Sequence, residues 1–368
     1  MSSSKEGPAI LDELFGPVLT LGEAVERKVD GPENNEEAEK SGKISKLCSS
    51  CEKESDTLVL CDGCRCIWYC GEDCKNGHRR EHEKECTLIK EILDKRGAKI
   101  DLGTEEDLGP LPDLPAQEEC PICMRVLPLH ARLHTYSDCC GKILCRACDH
   151  QHTHSLKNNE RPAKRGQQTT QAPLLTCAFC RTTLPESEEE QLTRIAKRVE
   201  LKDPYALHAM AGNYVFGMLG LPVDHSKCID LLREAADLGC SVAQYQLGEY
   251  HRTGSLGLEQ NEGEALRCYE KAAENGHVPA RNYLSYMVGM KGDYVAALRH
   301  SRLAASGGYR NSMAALIAAF DDGLLHHGDL AEPLQAFYCS RAELRSEHRD
   351  KYIEHLKKTG EYKAEYEL

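Results

Sequence analysis

The sequence Ala235-Ala236-Asp237-Leu238-Gly239 has the pattern Ala-Ala-x-x-Gly, which returns at residues 272–276 and again at residues 304–308. Seven residues after the second alanine of each copy comes a small residue, and four residues later comes a leucine. Small residues at fixed places allow paired helices to approach closely, so the repetition predicts a solenoid of about four helical hairpins. The small residues are Ala243, Ala280 and Ser312, and the leucines are Leu247, Leu284 and Leu316.

Further positions extend this pattern. Counting back by the same spacing places Ala206 and Met210 in an earlier copy, and glycines recur at 217, 254 and 323, where paired helices would turn. Glycine ends helices because it tolerates a left-handed cap. The repeats resemble the Sel1-like family, relatives of tetratricopeptide repeats, over roughly residues 203–345. The last copy departs from the pattern at Ala331–Arg345 and is interpreted as a cap. Because that family generally acts as a scaffold, the resemblance implies that proteins or peptides bind along the concave face.

A first cluster of cysteines lies before the repeats, between residues 48 and 86. Zn²⁺ takes four sulfur or nitrogen ligands, and two ligands spaced two or three apart supply two corners from one turn. Four such pairs predict two zinc sites, and their spacing resembles the MYND-type zinc finger. By that resemblance one zinc is held by Cys48, Cys51, Cys70 and Cys74, and the other by Cys61, Cys64, His82 and Cys86. Cys66 is left over, and His78, one helical turn before His82, is the alternative ligand.

A second cluster begins with Cys120-Pro-Ile-Cys123 and ends with Cys177-Ala-Phe-Cys180-Arg181. Its eight cysteines again suit two zinc ions, and their order resembles a RING finger in which every ligand is cysteine. That resemblance implies one ion on Cys120, Cys123, Cys145 and Cys148, and another on Cys139, Cys140, Cys177 and Cys180. Lys142 stands where the usual histidine ligand would be, so the adjacent Cys139 and Cys140 must share a site, with His134 as a reserve donor.

The RING resemblance also implies a possible partner. In ubiquitin-ligase RINGs the residue at the place of Ile122 contacts the E2 ubiquitin-conjugating enzyme, and an arginine placed like Arg181 helps to hold E2-bound ubiquitin. Such ligases position the E2–ubiquitin thioester and need no nucleophile of their own. Where E2-binding RINGs often carry an apolar or aromatic residue, this chain has Asp149-His150.

Composition limits the remaining possibilities. The chain has 368 residues, 20 cysteines and a formal net charge of −13. Clustered cysteines indicate metal binding in a reducing compartment, here the cytoplasm and/or the nucleus. The acidic balance gives no global attraction to nucleic acid, although residues 149–165 form a local basic stretch. Apolar stretches are shorter than the roughly 18 residues that a membrane span needs, so no membrane partner is expected.

The predicted architecture is multidomain, with two small cross-brace zinc modules followed by an all-α helical-hairpin solenoid. Its boundaries are a disordered tail at 1–47, the first module at 48–86, a helix and proline-containing linker at 87–119, the second module at 120–184, the solenoid at 185–345 and a C-terminal helix or tail at 346–368. Each module is expected to fold independently of the helical half. We find no catalytic motif, and Cys228, aligned with Ala265 and Ala297, is interpreted as a packing residue.

Two functional hypotheses follow from these features. The first is a non-enzymatic adaptor that binds proteins through both modules and the solenoid. The second is a RING-type E3 ubiquitin ligase whose solenoid selects substrates. A weaker third hypothesis, a nucleic-acid-associated regulator, depends on the basic stretch alone.

Overall fold

The computed structural model describes residues 48–51, 53, 55, 58–96, 108–158 and 175–363. The predicted disordered tail, the first part of the proline-containing linker, most of the basic stretch after residue 158 and the last five residues lie outside the described residues.

The first cysteine module (residues 48–86) contains one short hairpin and the start of a long helix. Strand β1 (Val59–Leu60) pairs antiparallel with β2 (Trp68–Tyr69). Helix α1 (Glu72–Arg96) begins within this module and continues past its last cysteine, Cys86. Its first turn carries Glu72 and Asp73, and negative charge is favourable at a helix N-terminus. The helix therefore reaches from one predicted zinc site to the other.

The second cysteine module (residues 120–184) is built on two short hairpins and one helix. Strands β3 (Glu119–Cys120) and β4 (Arg125–Val126) form the first hairpin. Strands β5 (His134–Ser137) and β6 (Lys142–Cys145) form the second, with His134 opposite Cys145. Helix α2 (Arg146–Asn158) follows directly. In the described parts of the chain all regular strands belong to two-stranded sheets.

From Glu188 onward the described chain is helical, which confirms the predicted solenoid. One helix precedes four antiparallel pairs, and one follows them. Pairing of α4 with α5, α6 with α7 and α8 with α9 is closest. The helices are α3 (Glu188–Glu200), α4 (Pro204–Phe216), α5 (His225–Asp237), α6 (Ser241–Thr253), α7 (Glu262–Glu274), α8 (Val278–Met290), α9 (Tyr294–Ser306), α10 (Arg310–Asp321), α11 (His327–Leu344) and α12 (Glu347–Thr359).

The helix ends are set by residues that recur with the repeat. Asp224, Asn261 and Asp293 each accept the backbone N–H three residues ahead, at 2.9–3.0 Å, and so begin the second helix of three pairs. Gly217 and Gly254 end the first helices of two pairs in the left-handed conformation, as predicted. Each pair is therefore delimited by its own sequence.

The repeated small and leucine positions form the core between helices. All six, together with Ala206 and Met210, are buried. Cys228 is fully buried, as are its repeat equivalents Ala265 and Ala297, which confirms its packing role. Within the described ranges no helix combines the length and apolar character that a membrane crossing requires.

The first cysteine module packs against the last helix pair, which differs from the expectation of independent modules. Ile67 of the module and Ile89 of α1 share one core with Leu334 and Phe337 of α11. Ser49 hydrogen-bonds Gln335 of the same helix. Because each fully buried apolar side chain contributes about 1.5–3 kcal/mol, this shared core links the stability of the module to that of the predicted cap.

The second cysteine module is held by the helix that follows the pairs. Helix α12 lies against α2. Leu133 of the module packs with Ile353 and Leu356. Arg198 of α3 donates hydrogen bonds to the carbonyl oxygens of Asp138 and Cys139, at 2.9 and 3.1 Å. Helices at both ends of the solenoid therefore position the two cysteine modules.

Candidate metal centres

The candidate ligands come together as four groups of four. In each group the sulfur or nitrogen donor atoms lie within 4.8 Å of one another. We name them site A (Cys48, Cys51, Cys70, Cys74), site B (Cys61, Cys64, His82, Cys86), site C (Cys120, Cys123, Cys145, Cys148) and site D (Cys139, Cys140, Cys177, Cys180). These groups coincide with the sets that the two resemblances imply.

The spacing of the donor atoms suits a tetrahedral zinc ion. A Zn–S bond of about 2.3 Å places two ligand sulfurs about 3.8 Å apart. In site A the Cys51 and Cys70 sulfurs are 3.6 Å apart, and in site B the Cys61 and Cys86 sulfurs are also 3.6 Å apart. His82 Nε2 lies 3.2 Å from Cys64 Sγ. These distances are far longer than a disulfide bond of about 2.05 Å and match the edges of a coordination tetrahedron.

Sites C and D have similar spacing. The Cys123 and Cys145 sulfurs lie 3.9 Å apart in site C. In site D the Cys139 and Cys180 sulfurs are separated by 3.3 Å. Those of Cys140 and Cys177 are separated by 4.0 Å, so adjacent cysteines contact different partners across the site. All twenty cysteines of the chain are free thiols in the structure.

Three of the Cys-x-x-Cys pairs share one unusual turn. The residue after the second cysteine has a positive φ in each: 56° at Arg65, 52° at Met124 and 64° at Arg181. Each donates its N–H to the carbonyl oxygen of the first cysteine, at 2.8–3.1 Å. Residues other than glycine rarely adopt this conformation, and they keep it where the surroundings enforce it. A metal ion that draws both sulfurs to one point would supply that constraint.

Helix α1 carries ligands for both sites of the first module. Cys74 lies in its first turn and joins site A, whereas His82 and Cys86 lie one turn apart on its buried side and join site B. A single helix therefore fixes the distance between the two sites.

The structure places His82 in site B and His78 outside it. The His78 Nδ1 lies 3.0 Å from the Tyr69 hydroxyl. Burial, together with the neighbouring His82, lowers the pKa of His78 to about 4. Cys66 also lies outside the group, with its sulfur 3.1 Å from His327 Nε2.

A tyrosine from the solenoid completes the surroundings of site B. The Tyr338 hydroxyl donates to a Glu85 carboxylate oxygen at 2.8 Å and lies 3.4 Å from His82 Nδ1. With His82 Nε2 directed at Cys64, the Nδ1–H is the atom that faces this hydroxyl. Hydrogen bonds of this kind fix the tautomer and orientation of a ligand histidine. Nothing in the cysteine spacing identifies Tyr338.

An arginine from α12 plays a comparable part at site C. Arg349 is only 1% exposed. It donates to the Leu344 carbonyl oxygen at 2.7 Å, and its other terminal nitrogen lies 3.6 Å from Cys123 Sγ. A buried positive charge beside a set of four thiolates offsets part of their negative charge. The reserve donor His134 faces the Pro128 carbonyl oxygen at 2.6 Å and belongs to no group.

Comparison with known proteins identifies two kinds of module. A family model described as "MYND finger" matches residues 48–86, and the "Sel1 repeat" model matches residues 204–240, 241–277 and 278–309. The chain therefore contains a MYND finger and three Sel1 repeats. The pair α10–α11 follows the last matched repeat.

Two curated relatives match short parts of the chain. The chitin synthase regulator SKT5 of Malassezia restricta is 32% identical over 104 residues, which is 27% of this chain and 7% of that protein. The mouse (Mus musculus) DAP3-binding cell death enhancer 1 is 39% identical over 62 residues, which is 17% of this chain and 12% of that protein. The chain thus spans about a tenth of the length of the curated relatives that it matches.

Two solved structures resemble part of the chain. A Sel1 repeat protein from Oxalobacter formigenes is 21% identical, with a TM-score of 0.34, over 46% of this chain and 64% of that chain. The protective antigen c5321 of uropathogenic Escherichia coli, which has an SLR fold, is 23% identical, with a TM-score of 0.35, over 46% of this chain and 36% of that chain.

Proposed function

We propose that this chain is a zinc-binding adaptor that holds other proteins, and that its zinc ions shape binding surfaces without taking part in chemistry. The observation that carries the proposal is that each of sites A to D has four protein donors. A catalytic zinc keeps one position open for water or substrate, whereas a site with four protein donors is structural. The MYND finger and the Sel1 repeats support a role in protein interaction.

The proposal includes four Zn²⁺ per chain, two in each cysteine module. Bound zinc neutralises thiolates that would otherwise repel one another, and structural zinc sites contribute directly to folding. Because none of the twenty cysteines, all of which lie in the described part of the chain, forms a disulfide, we propose a reducing compartment, the cytoplasm and/or the nucleus.

The adaptor proposal is tested by selecting peptides from a display library on the immobilised, zinc-loaded full chain. Enriched peptides are then measured in solution by isothermal titration calorimetry. We expect saturable binding that is lost when a chelator removes zinc and returns when zinc is restored. A folded, zinc-loaded chain that enriches no peptide above a blank surface would contradict the proposal.

A second candidate function, E3 ubiquitin ligase, has one observation in its favour. Ile122 is 39% exposed between the first two ligands of site C, and Phe179 is 42% exposed between the last two of site D. The surface formed by the residues after Cys148 is partly covered by α12. The His150 ring packs on those of Tyr352 and His355, with centroid distances of 5.1 and 4.5 Å. The adaptor remains the function that we propose.

An autoubiquitination assay with a panel of E2 enzymes separates the two functions. Ubiquitin chains that form with the wild type and vanish with Ile122→Ala would establish a ligase. Met290→Ala is the matched control, because Met290 is also an exposed apolar residue but lies on α8 of the solenoid. The adaptor proposal expects no chains across the panel from a protein that contains its zinc.

A further inference from the structure

An extended stretch of the chain lies along the turns between successive repeats. We name it the rim segment: residues 108–117, with the sequence Leu-Gly-Pro-Leu-Pro-Asp-Leu-Pro-Ala-Gln. It contains no helix or strand. Three prolines in ten residues favour the extended polyproline conformation, which needs no internal hydrogen bonds. Its backbone groups therefore bond to water or to other parts of the chain.

The solenoid supplies such partners through one ion pair, in which the arginine is buried and the glutamate is partly exposed. Arg302 of α9 donates to the Gly109 carbonyl oxygen at 2.8 Å, and Glu332 of α11 accepts the Leu111 N–H at 3.2 Å. The two side chains also pair with each other at 3.1 Å. Arg302 is only 2% exposed in the chain with the rim segment in place. Contacts to main-chain atoms recognise an extended backbone whatever its side chains.

Apolar contacts set the direction of the segment. Leu108 is buried in the core that the first cysteine module shares with the last helix pair. Leu114 and Ala116 pass two successive turns of the Ala-Ala-x-x-Gly pattern. A Cβ added at Gly307 would lie 3.4 Å from the Leu114 side chain, and one added at Gly276 would lie 2.7 Å from the Ala116 carbonyl oxygen. At Gly276 the absence of a side chain is therefore needed for the close approach, whereas Leu114 passes Gly307 at an ordinary van der Waals distance.

The earlier turn of the same pattern has no such neighbour. Gly239 occupies the place equivalent to Gly276, and a Cβ added there would meet no atom within 4 Å among the described residues. Beyond the end of the rim segment a cleft of about 310 Å³ opens between the second cysteine module and the solenoid. Its walls include Val126, Tyr205 and Val242. The surface that receives the segment thus continues past it.

We infer that the repeat turns of α7–α11 form a peptide-binding site for extended segments rich in leucine and proline, and that the rim segment is its occupant within the same chain. This inference rests on the proposed adaptor function and names the class of partner. A partner with the same chemistry binds by displacing the rim segment. A tethered occupant acts at an effective concentration on the order of millimolar, so the wild-type chain masks the site from weak ligands.

The test weakens the occupant without touching the site. Leu108→Asp with Leu114→Asp removes both leucine anchors from the rim segment of the full chain. A fluorescein-labelled peptide of residues 108–117 is titrated into this variant and into the wild type, and binding is followed by fluorescence anisotropy. We expect the variant to bind the peptide at least about tenfold more tightly than the wild type does, since the tethered competitor is gone.

Changes within the site provide the specificity controls. These changes are made in the Leu108→Asp/Leu114→Asp variant, which is called the displaced variant. Glu332→Gln removes the charge of the carboxylate that accepts the Leu111 N–H and leaves the side-chain volume unchanged. We expect it to weaken peptide binding severalfold. Arg302→Met should abolish binding, whereas Arg299→Met, which removes the same charge from an exposed position of α9, should not change it. Circular dichroism and zinc content establish that each variant is folded.

Two results would overturn the inference. A folded displaced variant that binds the peptide no better than the wild type would show that the rim segment is only a structural connection. A concentration-dependent dimer of the wild type that dissociates on Leu114→Asp would assign the site to a second copy of the chain. The display selection described above uses the wild-type chain, in which the rim segment occupies the inferred site. Peptides enriched in that selection therefore support the adaptor proposal even if this inference fails.

Discussion

Replacing Tyr338 by phenylalanine removes one hydroxyl and keeps the ring that packs against His78 and His82. The lost group donates to Glu85 at 2.8 Å and lies 3.4 Å from the nitrogen of His82 that faces away from site B. The substitution therefore tests whether a helix of the solenoid orients a zinc ligand of the MYND finger.

The structure sets the expected magnitude. Mutating a partner of a metal-bound histidine weakens metal binding by roughly 10–100-fold, which corresponds to about 1.4–2.7 kcal/mol. The Tyr338–His82 distance is long for a hydrogen bond, so we expect the lower end of that range, about tenfold. The lost hydrogen bond to Glu85 should also lower the free energy of unfolding by about 1.5 kcal/mol.

Metal affinity is measured by competition with a chelator of known affinity. In a Co²⁺-substituted protein site B is distinguishable, because its histidine nitrogen shifts the visible bands from those of the all-sulfur sites. Tyr250→Phe is the matched control, because it also removes a buried tyrosine hydroxyl, one that accepts a hydrogen bond from Gln246 at 2.8 Å. Tyr250 belongs to a core of the solenoid that is separate from the core of the first module. Unchanged metal binding at site B in Tyr338→Phe, or equal weakening in Tyr250→Phe, would refute this reasoning.

Three further predictions concern packing, pH and the second module. Gly248→Ala should lower the free energy of unfolding by about 1–3 kcal/mol, because the new Cβ would lie 2.6 Å from the Tyr269 ring. Gly212→Ala is the control, since its Cβ would enter open space, and it should raise the free energy of unfolding by up to about 1 kcal/mol. Chemical denaturation of both variants measures the difference. Burial lowers the pKa of His277 to about 3, below its unfolded value of about 6.5. The stability that neutral His277 contributes is therefore fully present above a pH of about 6.5 and is lost as the pH falls from there toward 3. In urea titrations, the loss of unfolding free energy caused by His277→Asn should thus be smaller at pH 5 than at pH 7.5. Arg349→Met should weaken zinc binding at site C about tenfold in chelator competition.

The repeats were predictable because their signals are local. Small residues, leucines and turn glycines recur at fixed spacing, and helices can be placed from them. Asp224, Asn261 and Asp293, which begin the second helix of three pairs, recur at the same 37- and 32-residue offsets and could have refined the helix boundaries. Sequence alone therefore determines the solenoid and most of its limits.

The packing of the cysteine modules against the solenoid was not predictable from the spacing of residues in the sequence. Tyr338 lies 256 positions after His82, and neither residue carries a signal that points to the other. The left-handed residues that follow three cysteine pairs are arginine and methionine, types that show no preference for that conformation. Their conformation, like the closeness of the sulfur atoms beside them, is revealed only by the folded chain. Long-range packing thus had to come from the structure.

Zinc content per chain is the most direct test of the central claim that two cysteine modules, each with two structural zinc ions, are built onto a helical solenoid. The full chain is purified without added metal chelator, and its zinc is measured by elemental mass spectrometry against a protein concentration from amino-acid analysis. We predict about four zinc ions per wild-type chain and about three after Cys139→Ser, which removes one donor of site D. A value near two in the wild type, unchanged by Cys139→Ser, would contradict the account of the second module.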